Sequence, residues 1–218
     1  MKIETRLYHP LYSAMRWIAR RAPFVRRLVP VGPFIALRDY LSVRAIGSLP
    51  DRRYLENTIL PAIATVGCRR VLFVGCKRYT RHYARYFTSD ATEYWTADWE
   101  PGAAIWGAGD RHFTCDVRTI DTHVSAGFFD VVIMNGVFGF GVNDEPSMNQ
   151  TVGALHRVLV PEGRLLIGWD KGLTPDPAVL PDMPRLFRAA SIASLPVHKS
   201  FAENGHIYDC FVARPVQA

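Results

Sequence analysis

Residues 128–137 read FFDVVIMNGV, and the stretch Val131–Met134 contains no polar residue. A half-exposed strand alternates apolar and polar positions, so a short unbroken run bounded by Asn135-Gly136 belongs to a strand covered on both faces. Strands of that kind occur in parallel sheets, because parallel neighbours are joined by crossover helices that pack above and below. This one segment therefore points to an α/β chain.

The flanking sequence repeats the pattern. RRVLFVG (69–75), EYWTAD (93–98), HFTCDV (112–117) and RLLIGW (164–169) read as further strands. Between them, 56–67, 78–87 and 183–194 read as helices, and Met148, Val152, Leu155 and Leu159 fall on one face of another. VPEG (160–163) suits a type I turn, with Pro161 second and Gly163 fourth. Near the end, 195–203 and 206–215 flank Asn204-Gly205, a strong hairpin signal. The expected fold is a Rossmann-like, mostly parallel sheet with helices on both faces and a C-terminal antiparallel hairpin.

Charge divides the chain at about residue 55. Residues 1–55 carry eleven Lys/Arg against three Asp/Glu, a net +8, which leaves −2 for 56–218 out of the total of +6. Pro23, Pro30 and Pro33 interrupt this basic stretch, so it reads as short helical pieces joined by turns. Its expected role is a flap over the main domain, or a peripheral contact with a membrane or other anionic partner. No nucleic-acid motif accompanies the charge, so nucleic acid is not an expected partner. The start MKIETRLYHP has no apolar signal core, and no run of eighteen apolar residues occurs. Cys68, Cys76, Cys115 and Cys210 show neither CxxC nor zinc spacing. They are expected as packed, reduced thiols in a cytoplasmic protein, with no metal site.

In open parallel sheets ligands sit outside the carboxyl ends of the strands. The residues at those ends are Gly75-Cys76, Asp98-Trp99-Glu100-Pro101, Asp116-Val117 and Asn135-Gly136-Val137. Asp98 follows Gly75 by twenty-three positions, close to the separation at which such folds place a carboxylate on ribose hydroxyls.

These stretches resemble the class I S-adenosylmethionine-dependent methyltransferases, with a core similar to methyltransferase type 11, over roughly residues 60–172. VLFVGC looks like the family's first motif, TADWEP its second and CDV its third. FDVVIMNGVFGFG with ALHRVLVPEGRLLIGW resembles the block from the fourth strand to the fifth. The resemblance implies S-adenosylmethionine as cofactor, held by Gly75, Cys76, Tyr79, Asp98, Trp99, Asp116, Val117, Asn135 and Gly136. Asp98 would take the ribose, and Asp116 with the next amide the adenine. The sequence departs from the family at Phe73, where many members are acidic, and at Lys77 and Tyr79, where they have glycine. A sulfonium nucleoside has no pyrophosphate, so one glycine can serve where a dinucleotide site needs several. No GK[ST] follows Gly75, which excludes a P-loop.

Methyl transfer depends mainly on alignment, so no obligatory catalytic residue is legible. Tyr79, His112, Asp144 and Asp170 are the candidates for a general base. NGVF follows the fourth strand where base-amino methyltransferases carry a DPPY-like tetrapeptide, which argues against the exocyclic amino groups of bases; the expected acceptor is a small molecule, a sugar, a lipid-linked intermediate or a secondary metabolite. Two other readings stand beside this one. The first is a cofactor-free relative that binds through its basic N-terminus, and the second a nicotinamide-dependent oxidoreductase.

Overall fold

The computed structural model of the chain describes residue 40 and residues 43–215. The prolines of the basic segment, and most of the helical pieces expected there, lie outside the described residues. The chain divides into two compact units, 1–55 and 56–218. In the first, 43–47 are helical and helix α1 spans Pro50–Tyr54. The second unit opens with helix α2, Leu60–Ala64, in which Leu60 and Ile63 are fully buried.

The second unit is built on one sheet. Its strands are β1 Arg70–Val74, β2 Glu93–Asp98, β3 His112–Thr114, β4 Phe129–Asn135, β5 Leu159–Asp170, β6 Phe187–Ala189, β7 His198–Ser200 and β8 His206–Ala213. The order across the sheet is β3-β2-β1-β4-β5-β8-β6, with β7 also paired to β8. β1 to β5 are mutually parallel, and β8 runs antiparallel to β5, β6 and β7. The expected Rossmann-like fold is the observed one.

Strand alternation gives each face its own core. On one face Leu72, Val74, Val132, Met134, Leu165, Ile167 and Phe211 join Met148, Val152 and Leu155 of helix α3, Glu145–Val158. Asp144 caps that helix by accepting the Ser147 amide at 2.8 Å, which accounts for it structurally. On the other face Val71, Phe73, Val131, Ile133, Leu166 and Cys210 are equally buried, and the Tyr83 ring meets Phe73 edge-on at 5.3 Å. Burial on both faces is why β4 reads as an unbroken apolar run.

Four local expectations are corrected. Residues 78–87 form two 3-10 pieces, Arg78–Thr80 and Tyr83–Tyr86, instead of one α-helix. The buried positions Cys76, Thr80, Tyr83 and Phe87 keep helical spacing, but an aromatic-rich segment with β-branched Thr80 has little intrinsic preference for α-helix. Leu159 does not end α3; it is extended (φ −82°, ψ 142°) and pairs with Phe129 as the start of β5. Glu162 has φ 60°, a left-handed conformation absent from the type I turn expected at VPEG.

The helix expected over 183–194 is only α4, Met183–Leu186. From Phe187 the chain becomes β6, covering the stretch of β8 that the three-residue β7 leaves unpaired. The hairpin at Asn204-Gly205 forms. Its loop is closed by Phe201 N–H on His206 O (2.8 Å) and Gly205 N–H on Phe201 O (2.9 Å), longer than a two-residue turn.

Candidate functional site

The site begins with a lateral row across the sheet. Asn135, Gly168 and Tyr208 are direct partners on β4, β5 and β8. Val74 pairs with both Ala97 and Met134, so one step further Gly75 lies between Asp98 and Asn135. The Gly75 amide donates to Ala97 O at 2.9 Å, continuing the ladder past the end of β1. Asp98, Gly75, Asn135, Gly168 and Tyr208 thus form one row on the face opposite α3, at the carboxyl edge.

The two glycines have different work. Gly75 has φ 99°, and a Cβ there would stand 3.0 Å from the Asn135 carbonyl oxygen. Only glycine turns the chain this way so close to β4. Gly168 lacks a positive φ but gives room: a Cβ would fall 2.1 Å from Asn135 Oδ1 and 2.8 Å from Tyr208 Cε1. The Asn135 side chain therefore lies across the bare backbone of β5.

Asp98 is buried and holds two loops together. One oxygen accepts the Cys76 amide at 2.7 Å, and the other accepts the Glu100 amide at 2.9 Å. Each carboxylate oxygen has two acceptor positions, so capacity for ligand donors remains. Asp116 caps the 3-10 segment Val117–Thr122 through the Arg118 amide and is clamped by the Arg118 guanidinium. Those hydrogen bonds hold its carboxyl below the usual carboxylate range. Val117 is buried behind it.

Lys77, which stands where the family has glycine, pairs with Glu100 at 2.9 Å. Tyr79 is half-buried in the first 3-10 piece. Trp99 is 65 % exposed, with its indole nitrogen 3.7 Å from the Cβ position of Gly141. Phe140 is 57 % and Leu173 58 % exposed, and Leu173 Cβ stands 3.2 Å from the Cβ position of Gly139. Gly136 donates its amide to Gly168 O at 3.0 Å, tying β4 to β5 just past Asn135.

Cys76 is fully buried directly after the glycine turn. Burial, then the Asp98 charge, pushes its thiol up to about 12, and burial raises Cys210 to about 12 and Cys115 to about 11. Native thiols in this state are expected to resist alkylation at pH 8 until the chain unfolds. The folded values lie above the unfolded one, so the associated stability is intact below pH 9 and is lost as pH rises from 9 toward 12. A falling urea midpoint between pH 8 and 10.5 checks the sign; a flat or rising midpoint contradicts it.

Of the candidate bases, His112 is misplaced. It begins β3 opposite Thr96, and its Nδ1 lies 2.9 Å from the Thr96 hydroxyl, away from the carboxyl ends. Burial also pulls its imidazole below the ordinary histidine range. Asp170 ends β5 and pairs with His206 Nδ1, while His206 Nε2 lies 3.1 Å from Asn135 Oδ1. This Asp170–His206–Asn135 chain was not legible as a unit in the sequence. The available signal is topological: an antiparallel strand enters the sheet where parallel strands leave it, so the first residue of β8 arrives at the carboxyl edge.

Comparison with known proteins gives a consistent result. No family model matches the chain, and no curated protein matches it. Among solved structures, the N-methyltransferase NodS from Bradyrhizobium japonicum WM9 is similar with a TM-score of 0.59 at 13 % identity, over 77 % of this chain and 99 % of that one. A TehB-like SAM-dependent methyltransferase from Corynebacterium glutamicum gives 0.59 at 18 % identity, over 82 % and 96 %. The fold is that of the S-adenosylmethionine-dependent methyltransferases. A third such structure, a SAM-dependent methyltransferase from Aquifex aeolicus, gives 0.53 at 12 % identity, over 79 % and 96 %. The methyltransferase fold accounts for the strand order and the antiparallel finish, and the likeness runs nearly the full length of each neighbour.

Proposed function

We propose that the chain is an S-adenosylmethionine-dependent methyltransferase acting on a small organic acceptor. The observation that carries this reading is the row Asp98, Gly75, Asn135 at the carboxyl edge of a methyltransferase fold. The residues suit the cofactor. Gly75 keeps the turn free of a side chain, Asp98 retains acceptor capacity for ribose hydroxyls, and Asn135 brings a buried amide to the same row. Cys76, Tyr79, Asp116, Val117 and Gly136 complete the proposed cradle, with Trp99 on its exposed side. A solved complex of NodS contains S-adenosyl-l-homocysteine at 14 % identity and TM-score 0.58, which supports the choice of ligand.

The cofactor, when bound, supplies an electrophilic methyl on a sulfonium. The chain's own part is alignment, worth effective molarities of about 10⁵ M or more, and exclusion of water. The exposed aromatic rings of Trp99 and Phe140 support an acceptor with an apolar face. The basic residues 1–55 are proposed as a flap or a peripheral contact with an anionic partner in a cytoplasmic protein, on their charge alone. The narrower likeness to methyltransferase type 11 also belongs to this proposal.

One observation favours the alternative of a binding protein without catalysis: both carboxylates already have protein partners, Asp98 two amides and Asp116 its arginine. Titration calorimetry with S-adenosylhomocysteine separates the readings. Saturable binding at micromolar to sub-millimolar ligand is expected, and no heat at millimolar ligand from folded protein would reject the methyltransferase reading.

A further inference from the structure

The amide nitrogen of Asn135 is buried and has no hydrogen-bond partner among the described residues, although the residue is only 5 % exposed. Buried donors are almost always paired, so its place in the row needs an explanation. The other end of the same amide is closely held. Oδ1 faces His206 Nε2 at 3.1 Å, His206 Nδ1 faces the Asp170 carboxylate, and Gly168 is bare backbone beneath. The His206 ring thus bridges the Asp170 carboxylate and the Asn135 carbonyl oxygen. His206 is 4 % exposed and packs edge-on to Tyr208 at 4.7 Å. With Oδ1 fixed toward β5 and β8, amide geometry puts the NH₂ group on the opposite side, away from His206.

We propose that Asp170 and His206 are positioning residues that hold the Asn135 amide with its NH₂ turned to the ligand, where it donates to the carboxylate of the cofactor's amino-acid end. The inference rests on the cofactor reading above. The NH₂ group only donates, so it needs an acceptor. Beside Gly75 the cofactor would present a sulfonium, an ammonium and a carboxylate, of which only the last accepts. Asp98, two strands and about 10 Å away, is an acceptor suited to the hydroxyl donors at the ribose. Lys77, the nearest lysine in sequence to the turn, is engaged by Glu100.

The test compares two probes by calorimetry: S-adenosylhomocysteine, and 5′-methylthioadenosine, which lacks the amino-acid end. Asn135→Asp keeps the acceptor for His206 but replaces the donor with a negative charge. It is expected to weaken S-adenosylhomocysteine about 10- to 100-fold while methylthioadenosine changes less than about 3-fold. His206→Phe frees the amide and is expected to weaken the first probe alone, about 3- to 10-fold. Should either variant fail to fold, the wild-type protein labelled with ¹⁵N gives an independent reading. The Asn135 NH₂ resonances should move with S-adenosylhomocysteine and stay in place with methylthioadenosine. Equal losses for both probes, an unchanged affinity in Asn135→Asp, or equal NMR shifts would overturn the proposal while leaving the cofactor reading standing. Binding of neither probe to the wild type would defeat that reading, and this inference with it.

Discussion

Gly168→Ala is expected to destabilise the chain by about 3 kcal/mol, an unusual cost for adding one methyl group in a strand. The reason is local geometry: the added carbon would sit 2.1 Å from Asn135 Oδ1 and 2.8 Å from Tyr208 Cε1, inside any permissible contact. Neither neighbour can yield easily, because Asn135 is held by His206 and Tyr208 is fully buried in β8. Urea unfolding measures the loss. Gly102→Ala serves as the control, since nothing stands within 4 Å of its Cβ position, and should change stability by less than about 0.5 kcal/mol. The double variant Gly168→Ala/Asn135→Ala should recover part of the loss, because removing the amide clears the closer clash. A Gly168→Ala protein as stable as the wild type would mean that Asn135 does not lie across β5.

Asp98→Ala should damage both folding and binding. It strands the buried amide of Cys76 and the part-buried amide of Glu100, each now satisfied by one carboxylate oxygen. Leaving two such donors unpaired costs about 2–4 kcal/mol after partial relaxation. S-adenosylhomocysteine affinity should fall about 10- to 100-fold, on the scale of a hydrogen bond to a charged group. Asp98→Asn offers a finer comparison. It keeps one acceptor oxygen but turns an NH₂ group toward one of the amides, so most of the stability loss should persist. Loss of stability with unchanged ligand affinity would show that Asp98 only splints the loops and that the ribose lies elsewhere.

How much of this was legible in the sequence depends on the range of the interaction. β2 was read at its observed bounds, 93–98, because its two ends are punctuated and its interior is β-branched and aromatic. The apolar run of β4 gave away burial on both faces. Segment 78–87 misled because helical spacing of buried positions survives in 3-10 turns. Segment 183–194 misled because the need to pair the edge of β8 is a property of the sheet, invisible in a local window. At the site, Gly75, Asp98 and Asn135 were legible from the strand-end rule. The partnership of Asn135 with His206, seventy-one positions away, and the gap at Gly168 were not. Both depend on which strand lies beside which, and on its direction.

That direction has a practical corollary. The loop Ala202–Gly205 feeds directly into His206, so its length sets how far the histidine reaches along β5. Two residues spliced into this solvent-facing hairpin would preserve the inside–outside phase of β8 if the strand slipped to absorb them, yet would exchange the histidine for another side chain. Natural or engineered variation at a surface bend could thereby change which buried side chain meets Asn135 without any change to the sheet's interior.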